Sequence, residues 1–160
     1  MRELNSLSQA QLEVRFGVER AFGKEMPPEP SEIISSKSIE PVMVREFFKD
    51  KCWWDITLQM LQFDYPGDGS ACLSFMSPKG RSYYLPAYLL IASEHYWEGG
   101  DISLEFPSRL LMYAQDDQTY KMSMLTREEM KAVADVLRFL VAAYDDEDAR
   151  EALDYLWKDY

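Results

Sequence analysis

Histidine occurs once in this chain, at His95, and cysteine only twice, at Cys52 and Cys72. A zinc site or a serine–histidine–aspartate arrangement needs several such groups at defined spacings, and neither signature is present. Two cysteines are too few for a disulfide framework and fit a reducing compartment. Both lie in apolar surroundings, where a free thiol serves as a small buried hydrophobe more often than as a nucleophile. Glycine is sparse as well. Gly67-Asp68-Gly69 and Gly99-Gly100 lack the spacing and the following lysine of a phosphate-binding loop. No apolar run approaches the roughly 20 residues of a membrane span. The opening Met1-Arg2-Glu3-Leu4-Asn5-Ser6 lacks the basic and apolar regions of a signal peptide, so a cytoplasmic protein is expected.

Positive charge is also short: 17 basic residues stand against 28 acidic ones, a net of −11. The deficit is uneven. Residues 1–90 carry 10 basic and 12 acidic side chains, whereas residues 91–160 carry 7 and 16. Such a field repels phosphate backbones and anionic lipid and attracts basic surfaces. No nucleic-acid or membrane partner is therefore expected. The plainest reading of the charge is solubility. Tyr83, Tyr84, Tyr88 and Tyr96 do not make a stacking platform for single strands, because only Lys79 and Arg81 lie near them.

What the chain does have is apolar and aromatic mass, 47% and 14% of 160 residues, which is ample for one globular domain over 1–160. The most apolar stretch, Ser82 to Ala92, is divided by Pro86. Proline suits a first helical turn, so a buried helix is expected over 86–97 at the centre of the fold. Three more helices are expected, over 8–22, 41–51 and 126–144. Ser8 with Gln11, and Thr126 with Glu129, make capping boxes at two of the starts. Gly17 shares the apolar face of the first helix, which suggests that another element packs close there. The connection over 24–37 carries Pro27, Pro28, Pro30, Ser35 and Ser36.

The imperfect alternation over 55–63 fits a strand or a short helix, and that over 101–106 fits one short strand. Residues 71–85 fit two structures. One is a β-hairpin turning at Pro78 to Gly80; the other is two helical turns with Ser77 as N-cap and Pro78 at the first position. The fold class expected is α+β and helix-dominated, a single domain with at most a small antiparallel sheet, and mostly-α is the close alternative.

Several phrases along the chain occur together: Trp54, Leu73-Ser74-Phe75-Met76-Ser77-Pro78, Tyr84-Leu85-Pro86-Ala87-Tyr88-Leu89, Phe139-Leu140 and Ala152-Leu153-Asp154-Tyr155-Leu156-Trp157. In these the chain resembles a family of small bacterial proteins of unknown function that share a Tyr-Leu-Pro-Ala-Tyr core phrase. The resemblance implies a bacterial protein and carries over no functional residue.

No catalytic residue, cofactor site or metal site is expected. Asp116-Asp117 and Asp145-Asp146-Glu147-Asp148 have carboxylates but lack the glycine and spaced ligands of a calcium loop. The second run also stands where carboxylates help a following helix to start. Three functions remain in contention. The first is a non-enzymatic acidic protein that binds a protein partner, with Asp145, Asp146, Glu147 and Asp148 as the contact residues. Its sharpest form is an immunity protein that antagonises a basic toxin. The second is a small enzyme with a carboxylate and tyrosine pocket beside the central helix, marked by Glu94, His95 and a tyrosine converging. The third is a structural interaction module.

Overall fold

The structure is a computed structural model and describes residues 6–160; the stretch 1–5, part of the amino terminus read above for a signal peptide, lies outside them. Ten α-helices follow one another among the described residues, joined by 3-10 and π-helical turns, with no strand among them. The α+β expectation is thereby corrected to an all-helical fold. Of the strand and the short helix open over 55–63, the helical one is found, as a 3-10 turn, Trp53–Asp55, and a π-helical turn, Met60–Asp64. The stretch 101–106 is helix α6 (Asp101–Leu104) running into α7 (Phe106–Gln115). Its apparent alternation is an i, i+4 pair, Ile102 and Phe106, both buried.

The hairpin alternative for 71–85 falls for the same kind of reason. Short helix α4 (Cys72–Phe75) is followed by α5, Pro78–Glu94. Ser77 caps α5 by accepting the Gly80 N–H at 3.2 Å, and Pro78 occupies the first turn. Gly80 is not a turn residue. A Cβ there would lie 3.0 Å from the Ile33 Cα, so its hydrogen lets the backbone of α2 (Pro30–Ile33) touch α5. Pro86 does not start the central helix but sits inside it. Lacking an N–H, it leaves the Ser82 carbonyl without its helical donor.

Every residue of α5 from Tyr84 to Glu94 is buried. A helix apolar on all sides belongs in the middle, and α5 lies there. Helices α1 (Gln9–Phe22) and α9 (Arg127–Tyr144) pack against α5 and against each other. Helix α10 (Glu147–Ala152) packs on α7 and α9. Helices α2, α3 (Ile39–Phe48) and α4 lie about the opening half of α5, while α8 (Asp117–Tyr120) closes off α7. The core is one hydrophobic cluster running from Val18 to Trp157.

Both capping boxes form, with Gln11 N–H to Ser8 Oγ at 3.1 Å and Glu129 N–H to Thr126 Oγ1 at 3.1 Å. The close contact expected at Gly17 is absent: a Cβ there would meet nothing within 4 Å. The 24–37 connection is partly structured, since it contains α2 and buries Ile33 and Ile34. No helix among the described residues is long and apolar enough to cross a membrane.

Candidate functional site

The acidic run over 145–148 forms the corner between α9 and α10, and its four residues take different roles. Asp145 ends α9 in the left-handed conformation, φ 52°. Asp146 is 8% exposed and caps α10 by accepting the Ala149 N–H at 2.8 Å. It also accepts the Tyr96 hydroxyl at 2.6 Å. Asp145 pairs with Arg150 at 2.6 Å, and Glu147 pairs with the same guanidinium. Asp148 stands exposed in the first turn of α10. Two of the four carboxylates thus share one guanidinium, and the corner keeps a negative field even though Asp146 is turned inward.

The tyrosine bonded to Asp146 begins an aromatic stack. Tyr96 lies flat on Tyr144, with ring centroids 3.9 Å apart and planes 3° from parallel. Burial, reinforced by the Asp146 carboxylate, pushes the Tyr96 hydroxyl well above its ordinary range. Trp97 meets both rings edge-on, at 4.8 Å and 5.8 Å. Phe139 meets Tyr144 in the same way at 6.0 Å. Trp97 nevertheless remains 69% exposed. A large indole is therefore held against solvent by a buried hydrogen bond and a stack of rings, beside an acidic helix corner. Composition and periodicity gave no reason to single out Trp97. The available signal was its place after the end of a buried helix and before Gly99-Gly100, where a side chain no longer has to face the core.

The enzyme reading has its own place to be tested, because Glu94 and His95 do line one cleft, together with Trp54, Thr57 and Leu90. Its volume is about 40 Å³, room for about three water molecules. No tyrosine lines it. The Glu94 carboxylate lies 3.2 Å from Arg15 Nη1. The pair lines the cleft, and its carboxylate is 4% exposed. The other α5 tyrosines are likewise committed to the frame: Tyr83 donates to Glu25 O at 2.7 Å and Tyr88 to Gly69 O at 2.7 Å, while the Tyr84 hydroxyl reaches Phe48 O and Lys51 O at 2.8 and 2.7 Å. Each ties an earlier segment to α5.

Arg81, counted above among the few basic residues near the tyrosines, is not a surface charge at all. It is 3% exposed and donates from Nε to Leu73 O at 2.9 Å, from Nη1 to Tyr120 O at 2.8 Å, and from Nη2 to Met76 O. No group of three or more histidine, cysteine, aspartate or glutamate side chains among the described residues is arranged to hold a metal ion.

The fold and its surface define an all-helical protein whose most distinctive feature is an exposed tryptophan packed edge-on against two tyrosines beside an acidic corner. The chain belongs to the Family of unknown function (DUF6714), which matches residues 34–160. Helix α1 and most of the proline connection precede that match. No curated protein and no solved structure matches the chain.

Proposed function

We propose that this protein is a single-domain, non-enzymatic binding protein that engages a basic protein partner through the Trp97 face and the α9–α10 corner. The observation that carries the reading is Trp97, exposed yet fixed in place by Tyr96, Tyr144 and the Tyr96–Asp146 hydrogen bond. An aromatic anchor immobilised before binding loses little entropy on association, and anchors of this type carry most of the energy of an interface. Asp145, Glu147 and Asp148 form the rim that steers a positive partner. Asp146 supports the pedestal from within. The sharpest form of the proposal is a bacterial, cytoplasmic immunity protein that blocks a basic toxin; the charge concentrated in residues 91–160 and the two free thiols support it.

The test places a photo-crosslinking phenylalanine at position 97 and identifies the adduct formed in the native host. A basic protein is expected. Against that purified partner, the triple variant Asp145→Asn/Glu147→Gln/Asp148→Asn is expected to lower the association rate about tenfold at low salt and to flatten its salt dependence. Trp97→Ala is expected to speed dissociation by about 30-fold or more. Unchanged rates in both variants overturn the proposal. The antagonist form further requires that the partner alone be toxic and that co-expression of this chain abolish the toxicity.

A further inference from the structure

A groove of about 470 Å³ lies between the proline segment after α1 and the opening half of α5. That volume falls within the range of small-molecule sites. Its walls include Trp53, Tyr83 and Pro27, and its polar lining is mostly carboxylate: Glu25, Glu29 and Glu129.

Hydrogen-bonding capacity in the groove is lopsided. The indole, the phenol and the ammonium in the lining each already have an acceptor. Trp53 Nε1 donates to Gly23 O at 2.8 Å, the Tyr83 hydroxyl donates to Glu25 O at 2.7 Å, and the Lys79 ammonium is held by Glu32. Acceptors remain. Neither Glu25 nor Glu29 enters an ion pair among the described residues. Glu129 uses one oxygen, Oε1, for the Thr126 N–H at 2.8 Å. Ser82 also lines the groove. An anion would meet four carboxylates and a single ammonium, which already pairs with Glu32. A bare metal ion needs several oxygen ligands drawn together, and no three carboxylates among the described residues are so arranged. What such a lining complements is a group rich in N–H donors and positive charge, on a body that can lie against aromatic faces.

We propose that this groove binds a small organic cation, a guanidinium or ammonium on a short aliphatic or aromatic body. The site is independent of the Trp97 face. Its chemistry can reach it as a free amine or as an arginine side chain of a peptide, and two probes separate these sources. Agmatine represents the free cation, and Nα-acetyl-arginine amide represents an arginine flanked by peptide groups.

Calorimetric titration and amide chemical-shift mapping of the full chain supply the test. One or both probes are expected to saturate a single site with a dissociation constant below about 1 mM, with shifts centred on Glu25, Trp53 and Tyr83. The tighter probe identifies the source. Butylurea, a neutral donor, is expected to bind at least about tenfold more weakly, and Glu25→Gln/Glu29→Gln is expected to weaken the cation about tenfold. Both substituted residues are exposed on the connecting segment, and circular dichroism confirms that the variant keeps its helices. The Asp145→Asn/Asp148→Asn variant, changed at the distant corner, is expected to bind as the wild type does. Absence of saturation by either cation up to about 10 mM overturns the proposal. Equal binding of butylurea, or an equal loss in the corner variant, overturns it as well.

Discussion

Replacing Arg81 by methionine keeps an unbranched apolar stem and removes the guanidinium with its donors. Arg81 draws three segments together: its three nitrogens serve the carbonyls of Leu73 and Met76 at the end of α4 and of Tyr120 at the end of α8. Its guanidinium also lies 4.8 Å from the ring of Tyr120 and 5.5 Å from that of Tyr113. Burial pulls its pKa down from the ordinary arginine value, but arginine starts so high that it stays charged. All three acceptors are neutral carbonyls; Leu73 O keeps the Met76 N–H at 3.2 Å, so the methionine variant strands the Met76 and Tyr120 carbonyls without leaving an opposite charge behind. Each stranded carbonyl costs about 1–3 kcal/mol and the ring contacts contribute about 1 kcal/mol. These terms overlap, and a total of about 4 kcal/mol is expected. For a chain of this length that is a fall in Tm of about 8–16 °C. Arg81→Lys restores the charge but one nitrogen cannot span three carbonyls, so it is expected to recover only part of the loss. Urea unfolding with an unchanged m-value measures both. A methionine variant within about 1 kcal/mol of wild type would show that the clamp contributes nothing net, and the reasoning would fail.

Two glycines separate helix propensity from packing. Gly17→Ala enters open space in a helix and is expected to stabilise by about 0.5–1 kcal/mol, whereas Gly80→Ala drives a methyl against the Ile33 backbone and is expected to destabilise by about 1–3 kcal/mol; equal effects in denaturant melts would refute the assignment of either site. The two thiols should also differ. Burial pushes the Cys72 thiol from its ordinary 9.0 up to about 11, so the stabilisation from keeping it neutral is whole below pH 9 and is lost as pH rises through about 11. At pH 8, mass spectrometry of a labelling reaction is expected to show Cys52 modified first and Cys72 only as the protein opens; equal labelling rates would refute this.

The elements most legible in the sequence were those that carry their own local signals. Ser8–Gln11 and Thr126–Glu129 satisfy orphan amide groups within a few residues, so α1 and α9 announce their starts without reference to the rest of the chain. Helix α5 could not be delimited that way. Being buried on every side from Tyr84 onward, it has no polar stripe to set a period, and its two prolines offered two possible starts. Gly80 was ambiguous because glycine marks both turns and close helix contacts, and only the position of Ile33, 47 residues earlier, decides between them. The same limit applied at the corner. A run of four acidic residues does not reveal that its second member faces inward to Tyr96, or that the neighbouring tryptophan faces outward. Those orientations follow from how α5, α9 and α10 meet.

The place of α1 depends on a charge at the wrong end of a helix. Glu94 is the last residue of α5, where the helix dipole is negative and a carboxylate is disfavoured, and it is also buried. Helix α1 offsets both penalties. Arg15 Nη1 approaches the Glu94 carboxylate to 3.2 Å, and Gln11 Nε2 donates to the adjacent Ser93 carbonyl at 2.9 Å. Although α1 precedes the stretch matched by the family, it supplies the cation and the donor that the end of α5 needs. Arg15→Met is therefore expected to cost about 3 kcal/mol, because it leaves the buried carboxylate without this counter-charge. Glu94→Gln alone is expected to cost less, since the guanidinium keeps Glu19 at 3.4 Å from its Nε. The double variant is expected to be more stable than the sum of the two single losses implies, by about 1–2 kcal/mol. Strict additivity in that cycle would mean that Arg15 and Glu94 do not hold α1 to the end of α5.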